Sequence, residues 1–497
     1  MKILNSLTFI FLLLSATINA QEWQTVVDDT RLTTANGNSW HSMLSGDSYG
    51  NIHIVWEDDR DGNNEIYYTK LDNGGNTLID DMRLTNDNAG SDFPFIKLDS
   101  SDNVHIIWRD SRNGSPEIYY IKLDNDGNVL VDSTRITYGS NTSSGHDLII
   151  DSYDYLHIGW VDHRDGNAEI YYSKLDNNGN PIVGATRITM ASGDSWWPYL
   201  DVDNDGNVQI AWYDTRNGNG ELYYTKLDNN GNTLVDDTRL TFSGGAYGAP
   251  TLEVDNSNNI HIVWPDNRNG YGALYYTKLD KDGNTLIDDT LITISNGGGG
   301  YLADIDNEGN DHITWPDNRD GNDEIYYCKL DNDGSKIVED TRLTFDNAES
   351  WHPRLYVDNN QSIHIIWDDN RDGNLEIYYK KGAIITDVDE ESDIIPTKYS
   401  IKQNYPNPFN PITTIEYTIP TSPYPTPYQG EGTRERFFVR LKVYDVLGNE
   451  IATLINEEKQ PGTYSVQFDG AGLSSGVYFY TLTAGNFVES KKMTLMK

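Results

Sequence analysis

A motif built around tryptophan recurs seven times along the chain, and this repeat constrains the possible folds more than any other feature. Each tryptophan ends an apolar segment and is followed by the pattern x-Asp-x-Arg, a segment of the Ile-Tyr-Tyr type, a Gly-Asn turn and a further short segment. The segments alternate apolar and polar residues between Asn, Asp and Gly, which is typical of β-strands. The tryptophans are spaced 51 or 52 residues apart, at Trp56, Trp108, Trp160, Trp212, Trp264, Trp315 and Trp367.

Four short strands per repeat, at a period of about 50 residues, predict the blades of a β-propeller. We expect the strand before the tryptophan strand to be innermost, the tryptophan strand second, the Ile-Tyr-Tyr strand third and the Asp-Thr-Arg-Leu-Thr strand outermost. The seventh repeat lacks its outermost strand, and residues 27–33 near the start of the chain carry that sequence. Because an open ring would leave a long unpaired strand edge, we predict that this N-terminal strand completes the last blade.

The predicted fold class is all-β, with a seven-bladed β-propeller of four-stranded blades and a small C-terminal β-sandwich. Residues 1–20 have a basic start, an apolar core and a small-residue end, and are predicted to be a signal peptide. The propeller is predicted to span residues 21–381, an acidic linker residues 382–398, and the C-terminal domain residues 399–497. No transmembrane segment is expected after removal of the signal peptide.

The net charge of −40 limits the choice of partners. A surface this acidic repels phosphate backbones and anionic lipid headgroups, so neither nucleic acid nor a membrane surface is expected as a partner. A cation, a basic protein or a neutral glycan is compatible with the charge.

The C-terminal domain carries four motifs in a fixed order. They are QNYPNPFNP at residues 403–411, VYDVLGNE at 443–450, LSSGVYFY at 473–480 and KKMTL at 491–495. The segment 399–497 resembles the type A C-terminal sorting domain of the type IX secretion system. The resemblance implies export across the outer membrane of a Bacteroidetes-like bacterium, to the cell surface or the medium. It also implies that the secretion machinery is a partner through residues 399–497.

Residue types that are present in every repeat are most simply explained by the structure of a blade. The seven Asp/Arg loop pairs, such as Asp58 and Arg60, fit this explanation, because Asp can organise a turn and Arg can bridge to a carboxylate. One position of the tryptophan strand is histidine in six repeats and Gln209 in the fourth. Because glutamine can mimic the hydrogen bonds of histidine, we predict a structural role there rather than metal binding.

A functional site must instead use residues that differ between repeats. Two adjacent positions vary in the loops that enter the innermost strands, and three repeats carry aromatic pairs there. The candidate ligand-binding residues are Trp40, His41, Trp196, Trp197, Trp351 and His352. Repeats seven and one are neighbours in the predicted ring, so their Trp-His pairs should lie side by side at one channel mouth. Exposed aromatic rings suit stacking on sugars or gripping a peptide, and the alternative is that they cap the core between blades.

Three acids in consecutive repeats occupy one position of the innermost strands: Asp201, Glu253 and Asp304. They are the candidate metal ligands, and they either hold a cation such as calcium in the channel or are merely solvated. No other cofactor is predicted.

The overall plan resembles sialidase-like secreted propellers at the level of the fold only, which assigns no chemistry. A sialidase needs three converging arginines, and only Arg109 and Arg354 in this propeller lie outside repeat positions. No nucleophile motif is present and no catalytic residue is predicted, so binding is favoured over catalysis. The predicted function is a secreted or cell-surface binding or scaffold module for a glycan or protein ligand. The alternatives are a polysaccharide-acting hydrolase or lyase with acidic residues in the channel, and a passive surface-layer component.

Overall fold

A computed structural model of the chain describes residues 21–139, 143–295, 300–386, 399–420, 437–459, 462–485 and 487–496. The chain divides into two compact units, with the boundary between residues 387 and 388. All regular elements of the described residues are β-strands, which we number β1 to β35 in chain order. The all-β class predicted from the sequence is therefore confirmed. The predicted signal peptide, residues 1–20, lies outside the described residues.

The first unit contains seven four-stranded antiparallel sheets of one recurring design. The first strands of the sheets are β2 (Ser39–Gly46), β6 (Ser91–Leu98), β10 (Ser143–Ile150), β14 (Ser195–Val202), β18 (Thr251–Val254), β22 (Leu302–Ile305) and β26 (Ser350–Val357). The second strands, which contain the repeated tryptophans, are β3 (Ile52–Asp58), β7 (Val104–Asp110), β11 (Leu156–Asp162), β15 (Val208–Asp214), β19 (Ile260–Asp266), β23 (Asp311–Asp317) and β27 (Ser362–Asp369).

The remaining strands complete the sheets in the predicted order. The third strands are β4 (Glu65–Leu71), β8 (Glu117–Leu123), β12 (Glu169–Leu175), β16 (Glu221–Leu227), β20 (Ala273–Leu279), β24 (Glu324–Leu330) and β28 (Glu376–Thr386). The fourth strands of the first six sheets are β5 (Thr77–Arg83), β9 (Val129–Arg135), β13 (Pro181–Arg187), β17 (Thr233–Arg239), β21 (Thr285–Ile294) and β25 (Lys336–Arg342).

The seventh sheet is completed by the opposite end of the chain. Its order is β1–β28–β27–β26, so β1 (Gln21–Arg31) takes the place of a fourth strand. The two strands pair antiparallel from Gln21 opposite Thr386 to Arg31 opposite Tyr378. The pairing begins before the predicted segment 27–33, and β28 continues beyond Lys381. Residues 382–386 therefore belong to the sheet, although the sequence predicts the linker from residue 382 onwards.

The core lies between the faces of neighbouring sheets. Each repeated tryptophan is at most 1% exposed. One buried cluster joins Tyr68 of the first sheet to Trp108 of the second. Another joins Trp56 of the first sheet to Tyr379 of the seventh. Neighbouring sheets thus exclude water from each other through the large aromatic side chains that repeat along the sequence.

The second unit is formed by two sheets around one core. A three-stranded sheet has the order β29 (Ser400–Ile401), β30 (Ile412–Ile419) and β33 (Gly462–Asp469). A four-stranded sheet has the order β32 (Glu450–Lys459), β31 (Phe437–Tyr444), β34 (Gly476–Ala484) and β35 (Phe487–Leu495). Ile415 of the first sheet and Leu441 and Tyr480 of the second are in one buried cluster.

Replacement of Gly382 by alanine tests the packing of β1 on β28. A Cβ atom at Gly382 would overlap the indole ring of Trp23, which also packs on Tyr327 with ring centroids 5.1 Å apart. Because Trp23 would be displaced, we expect the free energy of unfolding to fall by about 1–3 kcal/mol. Gly184→Ala in the outer strand β13 is the control, since no atom lies within 4 Å of its Cβ position. Equal stability of the two variants in urea unfolding would contradict this packing.

Candidate functional site

An aspartate at the end of each second strand organises the loop that follows it. The Asp58 carboxylate accepts hydrogen bonds from the Arg60 guanidinium at 2.6 and 2.7 Å and from the Trp56 indole at 3.0 Å. It also accepts one from the Ser39 hydroxyl, at the start of the first strand, at 2.7 Å. Bonds from arginine and tryptophan recur at Asp110, Asp162, Asp214, Asp266, Asp317 and Asp369. The Asp/Arg pairs are thus engaged within their own sheets.

The repeated histidines are likewise engaged inside the sheets. His157 accepts a hydrogen bond from the Tyr172 hydroxyl at 2.8 Å and donates one to the Asp151 carboxylate at 3.1 Å. In the fourth sheet, Gln209 accepts from the Tyr224 hydroxyl at 2.5 Å and donates to an aspartate, Asp203, at 3.1 Å. Glutamine reproduces both bonds of histidine, which supports the structural role inferred from the sequence.

Five of the seven first strands share an irregularity shortly after their initial serine. Pairing of β2 with β3 shifts between Trp40 and Met43, and an equivalent shift occurs in the second, third, fourth and seventh sheets. One residue of each irregular segment has a positive φ: His41 (50°), Phe93 (52°), Gly145 (51°), Trp197 (54°) and His352 (47°). Residues other than glycine adopt this region at a cost of roughly 1–2 kcal/mol. Strain of this kind is concentrated at functional sites, so the four aromatic residues become candidates.

A cavity of about 590 Å³ lies beside these irregular segments. Its wall contains two of the strained residues, Phe93 and Trp197, together with Trp196, Tyr199 and Tyr247. Phe93 is 40% exposed and Trp197 is 41% exposed. Their rings are therefore accessible to a ligand, whereas the repeated tryptophans of the core are not.

The six aromatic residues predicted from the sequence fall into two groups. Two of them, Trp196 and Trp197, line the cavity. The other four lie outside its wall: Trp40, His41, Trp351 and His352. Trp351 donates its indole N–H to Asp323 at 2.9 Å, which ties it to a loop of the sixth sheet.

His41 and His352 lie side by side, with ring centroids 4.9 Å apart. Through Nδ1, His41 binds the buried carboxylate of Glu57, and His352 binds that of Asp368 at 2.8 Å. Burial raises the pKa of Glu57, although the bond to His41 opposes this shift. His41 also stacks on Phe93 of the cavity wall, with ring centroids 4.6 Å apart. Two histidine–carboxylate pairs thus stand at the edge of the cavity, an arrangement suited to proton transfer.

The three acids predicted as metal ligands are placed differently from one another. Asp201 accepts the backbone N–H of Val254 in the next sheet at 2.7 Å, and Asp304 accepts that of Val357 at 2.7 Å. Both acids thus link neighbouring first strands. Glu253 makes no hydrogen bond to a described residue, and burial together with neighbouring acids raises its pKa well above the ordinary value. Among the residues that the structure describes, no group of three or more His, Cys, Asp or Glu is placed to hold a metal ion.

The cavity wall also contains polar residues that the sequence patterns did not select. His146 donates its Nε2–H to the Phe93 carbonyl at 2.8 Å, so its buried Nδ1 is an acceptor without a partner. The buried hydroxyls of Thr251 and Tyr301 also lack a partner among the described residues. Arg354 lines the cavity as well. Unpaired buried polar groups are uncommon, and three of the twelve such atoms among the described residues line this cavity, which makes it a candidate ligand site. Of these polar residues, only Arg354 had a signal in the sequence, because it lies outside the repeat positions.

Residues 403–496 match the family described as the secretion system C-terminal sorting domain. This match confirms the type IX sorting domain recognised from its motifs, and it indicates a secreted or cell-surface protein of a Bacteroidetes-like bacterium. None of the described residues forms a helix long and apolar enough to cross a membrane. No curated protein matches the chain.

Several solved structures are similar to this chain in fold alone. An ulvan lyase is 12% identical, with 72% of this chain and 95% of the lyase covered and a TM-score of 0.49. The NanB sialidase from Streptococcus pneumoniae is 13% identical, with 73% and 70% covered and a TM-score of 0.42. A protein of unknown function from Dyadobacter fermentans is 8% identical, with 73% and 99% covered and a TM-score of 0.47.

Replacement of His157 by glutamine should keep the fold and weaken its sensitivity to acid. Burial lowers the pKa of His157, although Asp151 opposes the shift, so the unfolded chain binds a proton below about pH 6.5 more readily than the folded protein. The stability that results is present above that pH and is lost as the pH falls toward the folded-state pKa. In the variant, the free energy of unfolding should fall less steeply between pH 7 and 5, by up to about 1.4 kcal/mol per pH unit.

Urea unfolding at a series of pH values measures this slope. The control is His157→Leu, which removes both hydrogen bonds and should lower stability at every pH by about 1–3 kcal/mol. An identical pH slope in the natural protein and in His157→Gln would contradict the buried neutral histidine.

Replacement of Trp197 by glycine is expected to leave the propeller about as stable as the natural protein. Glycine adopts a φ of 54° without strain, and the relief of roughly 1–2 kcal/mol offsets the lost ring contacts with Trp196 and Tyr213. Trp212→Ala, at a fully buried tryptophan, should instead cost about 3–5 kcal/mol. Thermal unfolding compares the two variants. A comparable loss in both would place Trp197 in the core between sheets.

Proposed function

We propose that the protein is a secreted or cell-surface carbohydrate-binding module built on a closed seven-bladed β-propeller. Contacts between first strands support ring closure: β2 with β6, β6 with β10, β10 with β14, β14 with β18, β18 with β22, β22 with β26, and β26 with β2. Lys381 of the seventh sheet also donates a hydrogen bond to the Asn73 carbonyl of the first sheet at 3.1 Å. In this arrangement the seven first strands surround one channel, and the cavity lies at its mouth.

The observation that carries the binding role is the presence of strained, accessible aromatic residues in the cavity wall. The irregularity of the first strand does not itself require them, since Gly145 occupies the equivalent position in the third sheet. Phe93 and Trp197 therefore add strain without an evident benefit to the sheets. Aromatic faces of this kind stack on the apolar faces of sugar rings.

The polar groups of the cavity favour a ligand that is rich in hydroxyl groups. His146 offers an acceptor, whereas Thr251 and Tyr301 offer hydroxyls that both donate and accept. A sugar ring carries donors and acceptors around its edge and apolar faces above and below, so it can satisfy these groups while it stacks. The cavity volume of about 590 Å³ lies within the usual range of small-molecule pockets.

Binding of the mature chain, residues 21–497, to glycan and peptide arrays tests the proposal. We expect a glycan ligand, and we expect Trp197→Gly to weaken its binding by at least about tenfold in calorimetry, through loss of stacking and buried apolar area. Phe242→Ala is the control, because Phe242 is 75% exposed and does not line the cavity. Binding of peptides alone, or full affinity in Trp197→Gly, would contradict the proposal.

A polysaccharide-acting hydrolase or lyase is the second candidate, and the histidine–carboxylate pairs are the observation in its favour. They are better placed for proton transfer at the cavity than Asp201 and Asp304, which bind backbone N–H groups of neighbouring strands. Incubation of the protein with its glycan, followed by detection of new chain ends, tests this function. Turnover that is lost in His352→Asn would favour the enzyme, and binding without turnover would favour the module.

A further inference from the structure

Arg354 differs from every other arginine in the propeller unit. Residues 21–386 contain fifteen arginines. Fourteen form an ion pair with a carboxylate, and Arg354 forms none with any described residue. Its hydrogen bonds go only to uncharged acceptors, the Met43 sulfur at 3.1 Å and the Pro353 carbonyl at 3.0 Å. The guanidinium therefore retains donors for a further partner.

Because of where Arg354 lies, the lack of an ion pair is energetically unfavourable. The residue is half-buried in the cavity wall, and desolvation lowers its pKa from the ordinary value. A guanidinium nevertheless remains protonated in proteins, so the cavity holds a poorly solvated positive charge. The charge of Asp368 also acts on Arg354, but the two residues form no ion pair. The His352 ring and the His41 backbone N–H both bind Asp368 Oδ2, whereas its Oδ1 has no partner among the described residues. An uncompensated charge of this kind is unfavourable unless a ligand neutralises it.

Two tyrosines supply further donors near the guanidinium. Tyr199 and Tyr301 line the cavity, and both interact electrostatically with Arg354. Burial raises the pKa of both hydroxyls well above the ordinary value, so they stay protonated. Neither hydroxyl donates a hydrogen bond to a described residue. One cation and two neutral O–H donors, in a cavity wall that contains no carboxylate, form a set that suits a negatively charged oxygen. The charges of Asp147, Glu253 and Asp304 act on Tyr199 from outside this wall.

Gly300 leaves space beside the Arg354 guanidinium. A Cβ atom at Gly300 would lie 3.3 Å from the Arg354 Nη1 atom and 3.3 Å from the His352 Cδ2 atom. Any side chain at this position would fill the space between these two residues. Since Gly300 has a positive φ of 79°, glycine also suits the local backbone.

We infer that Arg354, with Tyr199 and Tyr301, binds an anionic group of the glycan, so that the ligand is an acidic polysaccharide that carries carboxylate or sulfate groups. The inference rests on the proposed carbohydrate-binding function and names its substrate class. The planar guanidinium can bind two oxygens of either group at once, while the aromatic wall holds the sugar ring. The net charge of −40 opposes the approach of a long polyanion, but this repulsion is screened beyond about 8 Å at physiological salt. The charge inside the cavity therefore decides whether a single anionic group binds there.

Calorimetry on residues 21–497 with three matched oligosaccharides tests the inference. They are a uronic acid oligosaccharide, its carboxyl-reduced neutral counterpart, and a sulfated derivative of that neutral sugar. We expect at least one acidic form to bind roughly 10- to 100-fold more tightly than the neutral form, as charged hydrogen bonds provide. Which acidic form binds identifies the group as carboxylate or sulfate.

Arg354→Met should abolish this preference, so that the acidic oligosaccharide binds no more tightly than its neutral counterpart. Arg354→Lys, which keeps the charge without the planar fork, should retain part of it. Without ligand, Arg354→Met should unfold at the same temperature as the natural protein or higher, because it removes an unpaired charge. Arg164→Gln, which removes a loop arginine outside the cavity wall, is the control for net charge.

The outcomes separate this inference from the function on which it rests. Equal binding of acidic and neutral glycans, or an acid preference that persists in Arg354→Met, would overturn the anionic ligand and leave carbohydrate binding intact. A marked loss of stability in Arg354→Met without ligand would show that the arginine serves the fold. Failure of every glycan to bind would instead remove the carbohydrate-binding function itself.

Discussion

The buried aspartate at the end of each second strand is the group on which both the blades and the cavity depend. In the first sheet, Asp58 binds the core tryptophan, the loop arginine and the serine that begins the first strand. Burial opposes its ionisation, but these donors lower its pKa below the ordinary value, so it stays charged and holds all three groups. Because the serine is held in place, the irregular segment that follows it starts from a defined point. The bonds that stabilise the sheet therefore also position the residues of the site.

Because the seven sheets have one design, a comparison of equivalent positions shows which residues the sheet requires and which it does not require. In the irregular segment of the first strand, the residue with a positive φ is glycine in the third sheet but histidine, phenylalanine or tryptophan in four other sheets. The hydrogen-bonding position of the second strand behaves in the opposite way, since Gln209 replaces histidine and keeps its bonds. A residue difference between sheets that keeps the same hydrogen bonds is explained by the structure of the sheet. A residue difference that adds backbone strain is not explained in this way. Asp102, Asp154, Asn258 and Gln361 also have a positive φ, in the turns after the first strands. The aromatic residues with a positive φ, in contrast, lie in the wall of one cavity or beside it.

Several groups at the cavity lower the stability of the unliganded protein. Trp197 has a strained backbone, His146 has an unpaired acceptor, and Arg354 forms no ion pair with a described residue. Each such feature costs on the order of 1–3 kcal/mol, which the extensive aromatic core between the sheets can compensate. A ligand that satisfies these groups would recover part of the cost as binding energy. The sorting domain determines where this happens, because it directs the propeller to the cell surface or beyond it.

The sequence by itself determined the all-β class, the content of each sheet and the sorting domain. These follow from local alternation, from a regular tryptophan spacing and from ordered motifs, all of which can be read along the chain. It also identified β1 as the missing strand, because the seventh repeat ends one strand short. The position of Trp197 in the variable loops was likewise visible.

Only the tertiary structure decided which of the variable residues share one cavity. Trp197, His146 and Arg354 come from three different sheets, and the shift in strand pairing that directs their segments leaves no periodic signal. For the same reason, the sequence could not show that Asp201 links strands, since its partner is a backbone N–H in the next sheet. Side-chain patterns reveal which residues alternate along a strand. They do not reveal which backbone group of a neighbouring sheet a side chain contacts, or whether it lines a cavity, because both depend on how the sheets pack.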